Sequence, residues 1–121
     1  MRRFIGTAIL ISCLTAISMQ PARADLLETK GTITFLRVHD VGTGYGPPSD
    51  FLDVEVVILL NTAPGKGFGF QLRNDNNRAA RQGMLDLLRD AFTNNLPVLI
   101  DYNVTPPKKN GVIIRVALTK P

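Results

Sequence analysis

Residues 68–104 read FGFQLRNDNNRAARQGMLDLLRDAFTNNLPVLIDYNV, and the order of elements in this stretch decides the fold. Phe68 to Leu72 is a short strand with Phe68 and Phe70 on one face. In the segment that follows, Ala80, Met84, Leu87, Leu88 and Ala91 recur at spacings of three and four, while Arg81, Asp86, Arg89 and Asp90 occupy the rest of the circumference. That pattern predicts one amphipathic helix, capped by Asn74, Asp75 or Asn76 and stopped by Asn94-Asn95 and Pro97. Val98, Ile100, Tyr102 and Val104 then alternate with Asp101 and Asn103, so the chain returns to a strand.

Upstream lie two more strand signals. Gly31 to His39 is rich in β-branched residues, with Ile33 and Phe35 on one face and Leu36 and Val38 on the other. Apolar residues of both parities require either two covered faces or a bulge. Phe51 to Leu60 sets Leu52, Val54, Val56 and Ile58 against Asp53 and Glu55, which places those two carboxylates toward solvent. Ala63 to Gly67 then turns the chain into the Phe68 strand, making a hairpin. Downstream, Lys108-Lys109-Asn110-Gly111 predicts a hairpin turn of the Asn-Gly kind, and Val112, Ile114, Val116 and Leu118 alternate with Arg115 and Thr119. The fold class is mainly β with one helix, in the order β-β-β-α-β-β. A helix between the third and fourth strands favours a five-stranded OB-fold-like barrel, the helix plugging one end, over an open α+β sheet.

The front of the chain is of another kind. Arg2 and Arg3, an apolar run from Phe4 to Met19, and Ala22-Arg23-Ala24 before Asp25 make a secretory signal peptide over residues 1–24, leaving one OB-like domain over 25–121. Ser12, Thr15 and Ser18 interrupt the run, which is shorter than the roughly 20 apolar residues of a membrane span. Lipoprotein processing at Cys13 is the alternative. The expected location is periplasmic or secreted. Cys13 is the single cysteine of the 121 residues, so a chain cleaved after Ala24 has no disulfide. Its core must therefore suffice, and homo-oligomerisation is one way to extend so small a core. The formal charge of +4 is also a property of the leader. Removing Arg2, Arg3 and Arg23 from the 14 basic residues leaves 11 against 10 acidic ones, a net +1.

Gly83-Met84-Leu85-Asp86-Leu87-Leu88-Arg89-Asp90-Ala91-Phe92, followed by Asn94 to Tyr102, resembles the helix-to-fourth-strand region of the receptor-binding B subunits of bacterial AB-type toxins, the subtilase cytotoxin group among them. The resemblance covers about a fifth of the mature chain in sequence and most of it in element order. It implies a secreted, ring-forming binding module, and it carries over no ligand-binding residue. Those subunits usually hold a disulfide, which this chain lacks.

No catalytic signature and no cofactor motif is present. His39-Asp40 with Ser49 and Asp50 supplies the residue types of a hydrolytic triad without its spacing, and Asp50, Asp53 and Glu55 supply those of a weak calcium site. Lys66-Gly67-Phe68-Gly69-Phe70 matches the opening of the base-stacking octapeptide of RNA-recognition modules. Gln71 stands where that motif needs an apolar residue, and a glycine-punctuated core strand accounts for the same letters. With a net +1, nucleic acid is the least favoured ligand. The loop Gly42-Thr43-Gly44-Tyr45-Gly46 precedes Pro47-Pro48 rather than a helix, so it is not a phosphate cradle. In barrels of this kind the first loop and the last hairpin border the ligand face, which singles out Tyr45, Asp40, Ser49, Lys108 and Lys109 as ligand-binding candidates. The expected ligand is a glycan or a protein, with no cofactor, no metal and no membrane span.

Overall fold

A computed structural model describes residues 26–120; the leader read from residues 1–24 lies outside them. The elements are β1 (Leu27–Val38), β2 (Val56–Leu60), β3 (Gly67–Phe70), α1 (Arg78–Asn94), β4 (Pro97–Asn103) and β5 (Gly111–Ala117), with a single 3-10 turn at Pro48–Asp50. The strands close into a barrel in the order β1-β2-β3-β5-β4, antiparallel except for the short parallel contact of β3 with β5. This is the five-stranded OB-type barrel that the element order predicts.

Long β1 serves two neighbours. Leu27 to Thr32 pair with β4, and Ile33 to Val38 pair with β2. Between them Thr34 is an extra residue, since Ile33 faces Leu60 and Phe35 faces Leu59. That bulge resolves the mixed parity of the sequence: Ile33 and Leu36 pack inward, while Phe35 turns outward. The inner core joins Val56, Ile58, Phe68, Phe70, Val98 and Ile100 of the barrel to Leu88 and Ala91 of α1, all at most 1 % exposed. Phe68 meets Tyr102 edge to face at 4.8 Å. Met84 and Leu85 pack against this core in part, whereas Ala80, expected on the buried stripe, is exposed. Asn77, not one of the three residues before it, precedes the helix, and its side chain makes no capping bond. Asp75 accepts the Asn77 N–H at 2.9 Å instead. At the other end Asn95 adopts a left-handed φ of 54°, which ends the helix as predicted.

Three strand readings need correction, each for a physical reason. The ladder of β2 begins at Val56, not Phe51, because residues 51–55 cross the outside of the barrel before entering it. Leu52 and Val54 are buried on the outer face with Val57, whereas Val56 and Ile58 are buried inside. One unbroken alternation thus serves two cores. Glu55, assigned to solvent, is 3 % exposed and ion-paired at 2.8 Å to Arg73. In β5, Ile113 is buried while Val112 and Ile114 are exposed, the reverse of the alternation. Ile114 is a second bulge, since Tyr102 pairs with Ile113 and Asp101 with Arg115, so parity changes there and Val116 returns toward the core. Finally, Asn110-Gly111 is not a two-residue turn. Residues 104–110 form the connection, Gly111 already belongs to β5, and the buried Asn110 is a cross-link described below.

Candidate functional site

The outer face of β1-β2-β3 is where barrels of this type customarily hold ligand. Here residues 39–55 fold back across much of it. Leu52, Val54 and Val57 form a second apolar cluster, flanked by Phe35 and Tyr45. The glycines of β3 make this cover possible, because a Cβ on Gly69 would stand 2.6 Å from Val54 Cγ2 and a Cβ on Gly67 would stand 2.3 Å from the Tyr45 ring. The Gly-Phe-Gly-Phe strand therefore sends its phenylalanines inward and accepts loop side chains on its glycines. Phe68 and Phe70 are core residues with no surface on which a base could stack.

Polar links hold the cover down. Tyr45 and Leu52 form a β-bridge, with Tyr45 N–H donating to Leu52 O at 2.9 Å and Leu52 N–H to Tyr45 O at 2.7 Å. The Arg37 guanidinium lies 5.8 Å from the Phe35 ring centre and 5.7 Å from that of Tyr45, and it donates to Gly44 O at 3.4 Å. Its Nε–H also donates to His39 Nδ1 at 3.1 Å, so the proton of His39 sits on Nε2 and is donated to Val54 O at 2.6 Å. Both ring nitrogens are thereby spent, and neither serves Ser49 or Asp40 in a triad. Arg73 donates to Glu55 and, at 2.7 Å, to Asp53, which keeps its guanidinium even more firmly protonated than usual, Glu55 contributing most. Asp53 and Glu55 are thus committed to a cation of the chain itself. No group of three or more His, Cys, Asp or Glu positioned for a metal occurs among the described residues.

The five candidate residues lie on the two loops as expected, but their surroundings differ from a free loop surface. Asp40 is exposed, and its carbonyl accepts from Thr43 Oγ at 2.7 Å in a local turn. Ser49 is exposed in the 3-10 turn. Lys108 is half-buried with Nζ donating to Phe51 O at 2.7 Å, and Lys109 is exposed while its backbone N–H donates to Asp50 Oδ1 at 2.9 Å. The residue that joins these loops is Asp50, which also accepts the Asn110 N–H at 2.9 Å. Asn110 in turn donates from Nδ2 to Asp50 O and accepts the Gly67 N–H, both at 2.8 Å. Tyr45 is half-buried over Gly67 rather than free in solvent.

The cover is not complete. A hollow of about 330 Å³ lies beside Tyr45, lined by Thr34 at the β1 bulge, Leu59 and Leu60 of β2, and residues 61–66 of the β2–β3 turn, Thr62 excepted. Its polar members Thr34 and Asn61 carry no signal in the sequence that sets them apart from ordinary strand and turn residues, and Lys66 stands out there only as the first residue of the base-stacking motif. A second hollow of about 310 Å³ lies between the first loop and β5, lined by Leu52, Val54, Phe70, Lys108 and Val112, and a wider, more open groove runs past Ala80, Met84, Ile114 and Val116. No family model, no curated protein and no solved structure matches the chain. Its functional reading therefore rests on this geometry.

Proposed function

We propose that the protein is an exported, non-catalytic binding module of OB type whose ligand, a glycan, sits in the hollow beside Tyr45. The observation that carries this reading is the selective covering of the customary ligand face. The first loop seals the part over Val57 and Gly69 with its own side chains and leaves the hollow open, with an aromatic ring and polar side chains at its border. Tyrosine offers such a ligand stacking area together with a hydroxyl. The resemblance to toxin B subunits points in the same direction, toward recognition rather than catalysis and toward assembly into a ring. Nucleic acid fits poorly, since the phenylalanines of β3 are buried and the mature charge is near neutral.

A glycan array probed with the mature protein tests the reading. A defined set of bound glycans is expected, weakened by Tyr45→Phe at an unchanged melting temperature; an empty array overturns it. Export is checked by mass spectrometry of the envelope and culture fractions, where the chain is expected to begin at Asp25. An intact Met1 or a lipid on Cys13 contradicts that expectation.

A second reading, pairing with one protein partner, draws on the exposed Val112 and Ile114 beside Met84. Pull-down from the envelope fraction, compared between wild type and Ile114→Ser, discriminates it from the first.

A further inference from the structure

We infer that the hollow beside Tyr45 selects an oxyanion, a carboxylate or phosphate group carried by the ligand. This inference rests on the hollow being the ligand site and adds the chemistry it reads. The fold itself already uses some of the hydrogen-bonding groups around the hollow and leaves others free. Thr34 spends its hydroxyl proton on Leu59 O at 3.4 Å, which leaves its oxygen as an acceptor. Asn61 spends its acceptor, because Oδ1 takes the Thr32 N–H at 2.8 Å; Nδ2, with two protons, has no partner among the described residues. The Tyr45 hydroxyl and the Lys66 ammonium likewise have no hydrogen-bond partner there.

Among the side chains of the hollow, free donors therefore outnumber free acceptors. Two amide protons, a phenolic proton and up to three ammonium protons have no partner but solvent, and an acceptor-rich ligand serves them all. No Asp or Glu lines the hollow, and neither Lys66 nor Arg37, which stacks on the Tyr45 ring, has a carboxylate within 4.0 Å among the described residues. Of the nearby carboxylates, Asp53 and Glu55 share the single charge of Arg73, and Asp50 accepts the backbone N–H groups of Lys109 and Asn110. A neutral sugar hydroxyl must donate as well as accept, and among the side chains of the hollow it finds only the oxygens of Thr34 and Tyr45 and the second lone pair of Asn61 Oδ1. An oxyanion accepts from every donor and gains charge-assisted bonds from Lys66.

The test is an NMR titration of the mature, isotope-labelled protein at constant ionic strength with three probes: glucuronate, glucose and inorganic phosphate. Glucuronate is expected to shift the Asn61 side-chain amide and the Lys66 backbone amide saturably, at least about tenfold more tightly than glucose, the ratio that one charge-assisted hydrogen bond supplies. Phosphate acting at the same signals shows that the free oxyanion suffices. Phosphate silence beside glucuronate binding shows that a carboxylate on a sugar is required, and either result supports the inference. Asn61→Asp keeps the acceptor for Thr32 while replacing two donor protons with a charge, so it is expected to abolish glucuronate binding without loss of the fold. Lys66→Gln, at an exposed position, is expected to weaken it about fivefold or more. Glucose binding as tightly as glucuronate overturns the oxyanion inference and keeps the hollow as a ligand site. No shift at the hollow with any probe overturns both.

Discussion

The interior of the barrel and the outside of its β1-β2-β3 wall are both sealed by apolar side chains, but by different means. Inside, strands from every quarter of the barrel close on one another and on Leu88 and Ala91 of a 17-residue helix. Outside, an irregular segment, residues 39–55, lays its own Leu52 and Val54 over Val57, and its hold depends on a few links: the Tyr45–Leu52 bridge, the Arg37–His39 clamp and the Asp50–Asn110 tie. A regular element distributes its support over many contacts, whereas a loop cover concentrates it. The inner core should therefore set global stability, and the outer cover should open locally at lower cost. The open hollow lies at the edge of that cover, where the backbone is fixed and the surface is not filled.

Five substitutions break or sharpen this contrast. Leu88→Asp puts an unpaired charge in the inner core and is expected to cost several kcal/mol, enough to unfold a domain whose whole stability is about 5–15 kcal/mol. A melting midpoint equal to wild type would mean that α1 does not plug the barrel. Phe68→Ala removes one of the two buried rings of β3 and its edge contact with Tyr102. A loss of about 3–5 kcal/mol is expected by denaturant unfolding, with all amides losing protection together. Gly69→Ala acts on the cover, since its Cβ would lie 2.6 Å from both Val54 Cγ2 and the Val56 carbonyl, and the latter is backbone that cannot give way. Here about 1–3 kcal/mol is expected, and hydrogen exchange should rise in residues 39–55 before it rises in α1. Equal rises in both would erase the distinction between the two regions. Tyr45→Ala is smaller, about 1 kcal/mol, because the ring is only half-buried. Exchange at Leu52 N–H, which the Tyr45 carbonyl holds, reports it most directly. Ile114→Ser, at an exposed bulge, is expected to stay within about 0.5 kcal/mol. A larger loss that depends on protein concentration would reveal that a second copy of the chain covers β5.

Much of the inner core is legible in the sequence. The period of two in Val98, Ile100 and Tyr102 and the helical spacing of Met84, Leu88 and Ala91 each put the right residues inside. Alternation reports burial, however, and not which surface does the burying. Leu52 and Val54 carry the same signal as Val56 and Ile58, so the crossing at Glu55 from the outer cluster to the inner one was invisible. In β5 the bulge at Ile114 inverted a pattern that looked equally clear, because one extra residue changes the face of every residue beyond it. The candidate site was legible only in its neighbourhood. Tyr45 stands out as the aromatic of a loop that borders the customary ligand face, whereas Thr34 and Asn61 have no distinguishing pattern in one dimension and Lys66 belongs to a motif that points to nucleic acid.

By itself, then, the sequence determined the barrel with its helix between the third and fourth strands, since element order and periodicity are properties of neighbouring residues. Tertiary structure alone decided that the first loop covers its own barrel wall, that Glu55 is buried against Arg73 eighteen positions away, and that an acid-free hollow remains beside Tyr45. Those outcomes depend on which distant groups use up one another's hydrogen bonds and surface. Such pairings are settled only when the barrel closes, because a donor or a face is free or spent according to what folding brings beside it.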